Sequence, residues 1–147
     1  MDELMGRCEQ VGYLEPTQAA GQALIQRAIQ GEVVMLNLLR FRCIADYSHS
    51  PHLAADKPIS GAEAYDRYIV HTMPYLLRSG GDLLYSGEGG RFLIGPEHER
   101  WDRVLLVRQS SVDAFVAFAT DTAYLAGLGH RIAALEDSRL LPLILQA

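Results

Sequence analysis

Apolar residues run unbroken from Val33 to Leu36 and resume at Leu38 and Leu39, with Asn37 between them and Arg40 and Arg42 behind. A half-buried strand alternates apolar and polar positions; here Val34, Leu36 and Leu38 alternate with Val33, Met35 and Leu39. A strand over about residues 32–41, covered on both faces, is the expected element. Upstream, Ala20, Leu24, Ile25, Ala28 and Ile29 form one helical stripe that Gly31 can end. Downstream, residues 43–60 show no period and contain Pro51 and Pro58, the pattern of a long loop. Gly61 then precedes an amphipathic helix in which Tyr65, Tyr68, Ile69, Thr72, Met73 and Leu76 share one face, with a kink expected at Pro74. Gly80-Gly81 closes it.

Residues 82–95 read as two short strands around Gly87, Gly89 and Gly90, or as one strand with a bulge. Residues 101–109 form a third strand. A helix capped at Ser110, three residues before Asp113, follows it. A second short helix over 121–136 and a last strand from Asp137 complete the chain. The order is helix, then β-α-β-β-α-β. This is an α+β, ferredoxin-like antiparallel sheet with helices on one face, in a single domain over 1–147 with a helical N-terminal extension over 1–31. Helices on one face leave the other apolar face open. A second copy would cover it, so a homodimer through the sheet face is expected.

The chain has 147 residues, 49% of them apolar, and a net charge of −5, which gives no basic field for nucleic acid. Cys8 and Cys43 form no C-x-x-C motif. Metal-cage and disulfide-framework readings are therefore disfavoured. The N-terminus lacks a basic and apolar leader, and no run reaches the roughly 18 apolar residues of a membrane span. The expectation is a cytoplasmic protein without membrane or nucleic-acid partners.

The segments "AYDRYIVHTMPYLLRSGGDLLYSG" and "WDRVLLVRQSSVDAFVAFATDTAYLAGLGHRIAALEDSRLL" resemble the domain-of-unknown-function 1330 family. The likeness rests on Tyr65-x-x-Tyr68, Pro74, Gly80-Gly81, Trp101-Asp102-Arg103-Val104, Tyr124, Arg131 and Asp137-Ser138-Arg139-Leu140, and covers residues 33–143. It implies a dimeric α/β barrel, two ferredoxin-like sheets packed face to face. The wider superfamily includes cofactor-independent monooxygenases, haem-degrading enzymes and lactone isomerases, and fold alone does not choose among them.

Two polar residues interrupt apolar faces. Burying an unpaired amide costs roughly 1–3 kcal/mol, so Asn37 either bonds to backbone or orients a substrate in a cavity. Arg131 falls within about 20° of Tyr124 on a continuous helix, a geometry that a break at Gly127 and Gly129 would spoil. It requires an ion pair, for which Glu136, Asp137 and Asp66 are the partners in the chain, or a bound carboxylate. His130 has the side chain of a general base, and His71 shares that chemistry from the polar edge of the long helix. Trp101, Arg103 and Tyr68 are candidates to line a ligand. His49-x-x-His52, flanked by Asp46 and Asp56, is a weak metal pattern. No G-x-S-x-G elbow exists, because residue 84 is Leu, and "GEGGRF" fails the dinucleotide pattern at Phe92.

Two functional classes remain. One is a small-molecule enzyme of the cofactor-independent monooxygenase or isomerase type, with Asn37 and His130 catalytic and Arg131, Trp101, Arg103, His71 and Tyr68 binding a small organic ligand. No cofactor is called for. The other is a non-catalytic dimer that binds a small ligand or a protein partner.

Overall fold

A computed structural model describes residues 12–146, so Cys8 and the start of the N-terminal extension lie outside the described residues. The elements are α1 (Gln18–Gln26), β1 (Val33–Phe41), a 3-10 turn (Pro51–Leu53), α2 (Gly61–Arg78), β2 (Asp82–Arg91), β3 (Arg100–Gln109), α3 (Val112–Ala119), α4 (Thr122–Leu125), α5 (Leu128–Ala134) and β4 (Leu135–Leu143). The four strands lie in the order β2-β3-β1-β4, every neighbouring pair antiparallel. That order is the split β-α-β, ferredoxin-like arrangement.

β1 is central, with Leu36 opposite Leu106 on β3 and Leu141 on β4. Val33, Met35 and Leu39 are buried, while Val34, Leu36 and Leu38 are only half-buried. The doubly apolar strand therefore has one face under helices and one face open. Val104 and Leu106 of β3 and Leu141 of β4 extend the open face by register. Pro142 has no N–H to give, and it sits on the edge strand β4, where none is needed on the outer side.

α2 supplies most of the cover. Ser60 caps it, its Oγ accepting the Glu63 N–H at 3.1 Å. Gly61 opens the helix against backbone; a Cβ there would lie 2.4 Å from the Arg42 carbonyl and 2.5 Å from that of Ala134. Tyr65, Tyr68, Thr72 and Leu76 are buried along the expected stripe. Pro74 is accommodated within the helix on its exposed side, where water can take the carbonyl it frees. The main core joins Leu39, Tyr65, Tyr68, Leu105, Tyr124 and Leu135. A smaller one joins Val33, Met35 and Val112, with Leu24, Ile29 and Phe115 packed on it.

Several boundaries differ from the sequence expectation. α1 stops at Gln26 because Ala28 turns left-handed at φ 49°, and none of its residues is buried. Residues 82–91 form one strand, with a register shift between Leu83 and Tyr85. The cap of α3 is Ser111, not Ser110; its Oγ accepts the Ala114 N–H at 3.0 Å. The expected single helix over 121–136 splits at Ala126 and Gly127 into α4 and α5, and the chain is already β4 at Leu135. Glycines at 127 and 129 carry low helix propensity. The backbone at Gly127 also fits beneath the His71 ring, where a Cβ would come within 2.1 Å of Cδ2. A shift between Arg40 and Phe41 lets β4 begin early.

The long loop is fastened. Ala45 N–H donates to the Ile59 carbonyl and Asp46 N–H to the Ala133 carbonyl, both at 2.9 Å. This draws Tyr47 and the 3-10 turn against α5.

Candidate functional site

Three elements meet at a groove of about 680 Å³: the outer edge of α2, the 3-10 turn and α5. α2 contributes Asp66, Arg67, Val70 and His71, the turn His52 and Leu53, and α5 His130. The spacing of Arg67 and His71 at i and i+4 places both on one edge of the helix.

His130 lines the groove and pairs with Tyr47, which does not. Tyr47 Oη and His130 Nδ1 are 2.7 Å apart, and the rings meet edge to face at 5.5 Å. Burial, then the charges of Arg67, His71 and His52, push His130 below its ordinary value of 6.5. The imidazole is therefore neutral at pH 7. Burial raises the Tyr47 phenol, against the pull of Arg67, so it stays protonated. Either atom of this pair can donate. When Nδ1–H donates to Tyr47, Nε2 presents a lone pair; when Tyr47 donates, Nε2 carries a proton. Among the described residues Nε2 of His130 has no hydrogen-bond partner. His71 is fixed differently: Nε2–H donates to the carbonyls of Ala123 at 2.9 Å and Tyr124 at 3.2 Å. No three His, Cys, Asp or Glu side chains converge on a metal position among the described residues.

The remaining sequence candidates lie elsewhere and have protein partners. Asn37 is half-buried, and its Nδ2 donates to the Met35 carbonyl at 3.2 Å. It lines neither the groove nor the apolar hollow at Leu36, Leu38 and Leu141 on the open sheet face. Arg131 forms none of the ion pairs expected for it. Its Nη1 donates to the Leu14 carbonyl at 2.5 Å and its Nη2 to Ser138 Oγ at 3.3 Å. The reason is the break at Gly127, which ends the continuous helix, together with the Tyr13–Leu14 segment laid beside β4. Glu136 pairs instead with Arg40, Asp137 with Arg139 and Arg40, and Asp66 with Arg103.

Tyr68 Oη bonds to Tyr124 Oη at 2.7 Å inside the core. Burial, then the neighbouring Tyr68, drives the phenols of Tyr65 and Tyr124 far above their usual range. Trp101 is 2% exposed and lies under the guanidinium groups of Arg139 and Arg40, at 5.0 and 5.7 Å. Its Nε1 donates to Glu99 at 3.2 Å. Arg103 holds Asp66 at 2.7 Å and lies over Phe41 at 4.9 Å. Of the candidate ligand and catalytic residues named from sequence, the groove gathers His71 and His130, with His52 of the weak metal pattern and Asp66 beside them. Arg67, Leu53 and Val70 complete it, and Tyr47 bonds to His130 without lining it. The i, i+4 pair Arg67 and His71 was a readable signal for it, whereas the docking of the loop was not.

Two crystal structures of one protein match closely. Methylated RPA0582 is 36% identical and aligns over 94% of this chain and 98% of its own, with a TM-score of 0.79. RPA0582 from Rhodopseudomonas palustris, a protein of unknown function, is 37% identical over 92% and 99%, with a TM-score of 0.75. The chain belongs to the RPA0582 family. A dimeric protein of unknown function and ferredoxin-like fold from Bacteroides fragilis is more distant: 15% identity over 78% of this chain and 96% of that one, with a TM-score of 0.47. No family profile matches the chain, and no curated protein does. The RPA0582 family thus brings a fold and no reaction. Among the described residues no helix is long and apolar enough to cross a membrane.

Proposed function

We propose that the protein is a homodimeric, single-domain, cytoplasmic enzyme that moves a proton on a small organic substrate without a cofactor, an isomerase-type reaction with His130 as the base. The observation that carries this is His130 itself. Its imidazole is pushed below its ordinary value by burial and bonded at Nδ1 to Tyr47, with Nε2 free of partners among the described residues. A neutral imidazole near physiological pH is the side chain suited to taking and returning a proton. Abstraction from a carbon next to a carbonyl places the proton on Nε2 and the electron pair on the carbonyl oxygen as an enolate. Where the substrate is a β,γ-unsaturated carbonyl compound the enolate is a dienolate, and return of the proton from Nε2 to its γ-carbon shifts the double bond and completes the isomerisation. Asn37, Arg131, Trp101, Arg103 and Tyr68 then serve the scaffold around the groove, because each is engaged by protein atoms.

The dimer reading is supported by the open apolar face built on Leu36, Leu38, Val104, Leu106 and Leu141. It accords with the barrel that the resemblance to the domain-of-unknown-function 1330 family implies. The sheet face of a second copy leaves the helix-side groove accessible. The shallowness of the groove favours a second reading, a non-catalytic ligand-binding dimer, because catalytic sites exclude water more completely.

Deuterium wash-in separates the two. The protein is incubated in D₂O with a pool of small polar and aromatic carbonyl compounds, which are then weighed by mass spectrometry. Uptake of one deuterium by a pool member is expected with the native chain and with His98→Gln, and is expected to vanish with His130→Gln. Equal uptake with His130→Gln refutes the assignment. Binding without exchange selects the non-catalytic reading.

A further inference from the structure

The groove presents a guanidinium on a chain of net negative charge. The protein carries −5 overall, yet the groove is lined by one guanidinium, three imidazoles and one carboxylate. That carboxylate is already neutralised: Asp66 Oδ1 accepts from Arg103 Nη1 at 2.7 Å. Arg67 is in the opposite state. Among the described residues it forms no ion pair and no side-chain hydrogen bond, while the neighbouring His71 ring has its Nε2–H spent on two carbonyls. The field of Arg67 reaches across the groove, since it lowers the proton affinity of both Tyr47 and His130. Beside it lie two apolar side chains, Leu53 and Val70, the latter 77% exposed.

We propose that this groove holds a small organic carboxylate with an apolar body, the carboxylate on Arg67 and the body against Val70 and Leu53, within the compartment that His130 faces. A guanidinium presents paired donors in a plane, which match the two oxygens of a carboxylate. An isolated inorganic anion would leave the apolar wall unused, and a neutral ligand would leave Arg67 unanswered. Arg67, without a partner among the described residues, supplies the binding charge. The proposal rests on the groove being the functional site, and it assigns Arg67, not His130, as the group that selects the ligand class.

The test uses the full chain with benzoate and its neutral isostere benzamide as probes, read by ligand-observed NMR and by thermal shift. Benzoate is expected to bind and to stabilise, and benzamide to do neither at the same concentration. Arg67→Gln should weaken benzoate about tenfold or more, the scale of one charge-assisted hydrogen bond. Arg67→Lys should keep part of the affinity, Arg78→Gln on the same helix should keep all of it, and added salt should weaken it. Arg67 is exposed, so Arg67→Gln should unfold as the native chain does, which circular dichroism checks. Equal binding of benzamide, or native affinity in Arg67→Gln, overturns the proposal. The two assignments fail separately. His130→Gln should abolish deuterium uptake and still bind benzoate. Exchange on neutral compounds alone would remove the carboxylate site and leave the base. Arg67-dependent benzoate binding with no exchange on any compound would do the reverse.

Discussion

Removing the Asp137 carboxylate should unfasten the N-terminal segment from β4. Asp137 is 7% exposed, and its Oδ1 accepts the amides of Tyr13 and Ser138, each at 2.8 Å, and Arg139 Nη1 at 2.6 Å. Its Oδ2 faces Arg40 Nη2 at 3.5 Å. Burial alone would raise this carboxyl, but the Tyr13 amide, Arg139 and the Ser138 amide together hold it below its ordinary 3.8. The two guanidinium contacts are partly solvated and count for little, about 0–1 kcal/mol each. The two amides bond to a charged acceptor, worth roughly 1.5–3 kcal/mol apiece where buried, though Tyr13 is exposed and lies at the low end. Asp137→Ala should therefore cost about 2–4 kcal/mol, and Asp137→Asn about half of that, since an amide oxygen still accepts. Against a usual total of roughly 5–15 kcal/mol this is large. Urea unfolding at pH 7 and fixed protein concentration measures it. The sign with pH follows from the lowered value: the contribution is complete above the unfolded carboxylate range and lost as pH falls through the folded value. A loss below about 0.5 kcal/mol in Asp137→Ala, the level of an ordinary surface change, would refute the strap.

Other substitutions test other parts. Because His130 lies below its ordinary 6.5, the unfolded chain binds its proton first; stability should fall as pH drops from about 7 towards 5, and His130→Gln should flatten that slope in pH-resolved unfolding. Gly127→Ala would set a Cβ 2.1 Å from the His71 ring; it should cost about 1–3 kcal/mol by urea unfolding and displace the His71 NMR signal. Leu38→Asp on the open face should convert a species of twice the 16.3 kDa chain mass into a monomer by light scattering, and a native chain that is already monomeric would remove the sheet-face dimer.

Legibility in the sequence followed locality. β1 and α2 were readable because each carries its period within one element: Val33, Met35 and Leu39 inward on the strand, and Tyr65, Tyr68, Thr72 and Leu76 inward on the helix. The split at Gly127 was half legible: Gly127 and Gly129 marked a possible break, whereas the His71 ring that packs on Gly127 arrives from another helix. The pairing of Arg131 failed for the same reason: its partner is the Leu14 carbonyl, 117 residues away in sequence. Asn37 illustrates the opposite case. Its amide is answered two residues back by the Met35 carbonyl, so a local interaction explains the fault in the strand. The groove was half legible. His52, His71 and His130 announced themselves by residue type, whereas a loop tied to Ile59 and Ala133 brings His52 to the groove and Tyr47 to His130.

The imidazole signals of the five histidines test the functional groove most directly. His52, His71 and His130 line it, and His49 and His98 do not. In a titration with benzoate followed by ¹H–¹⁵N spectra of the side chains, the first three signals should move together along one binding curve while the other two stay fixed. Movement of His49 or His98 without the three, or no movement at saturating benzoate, would contradict the assignment of the site.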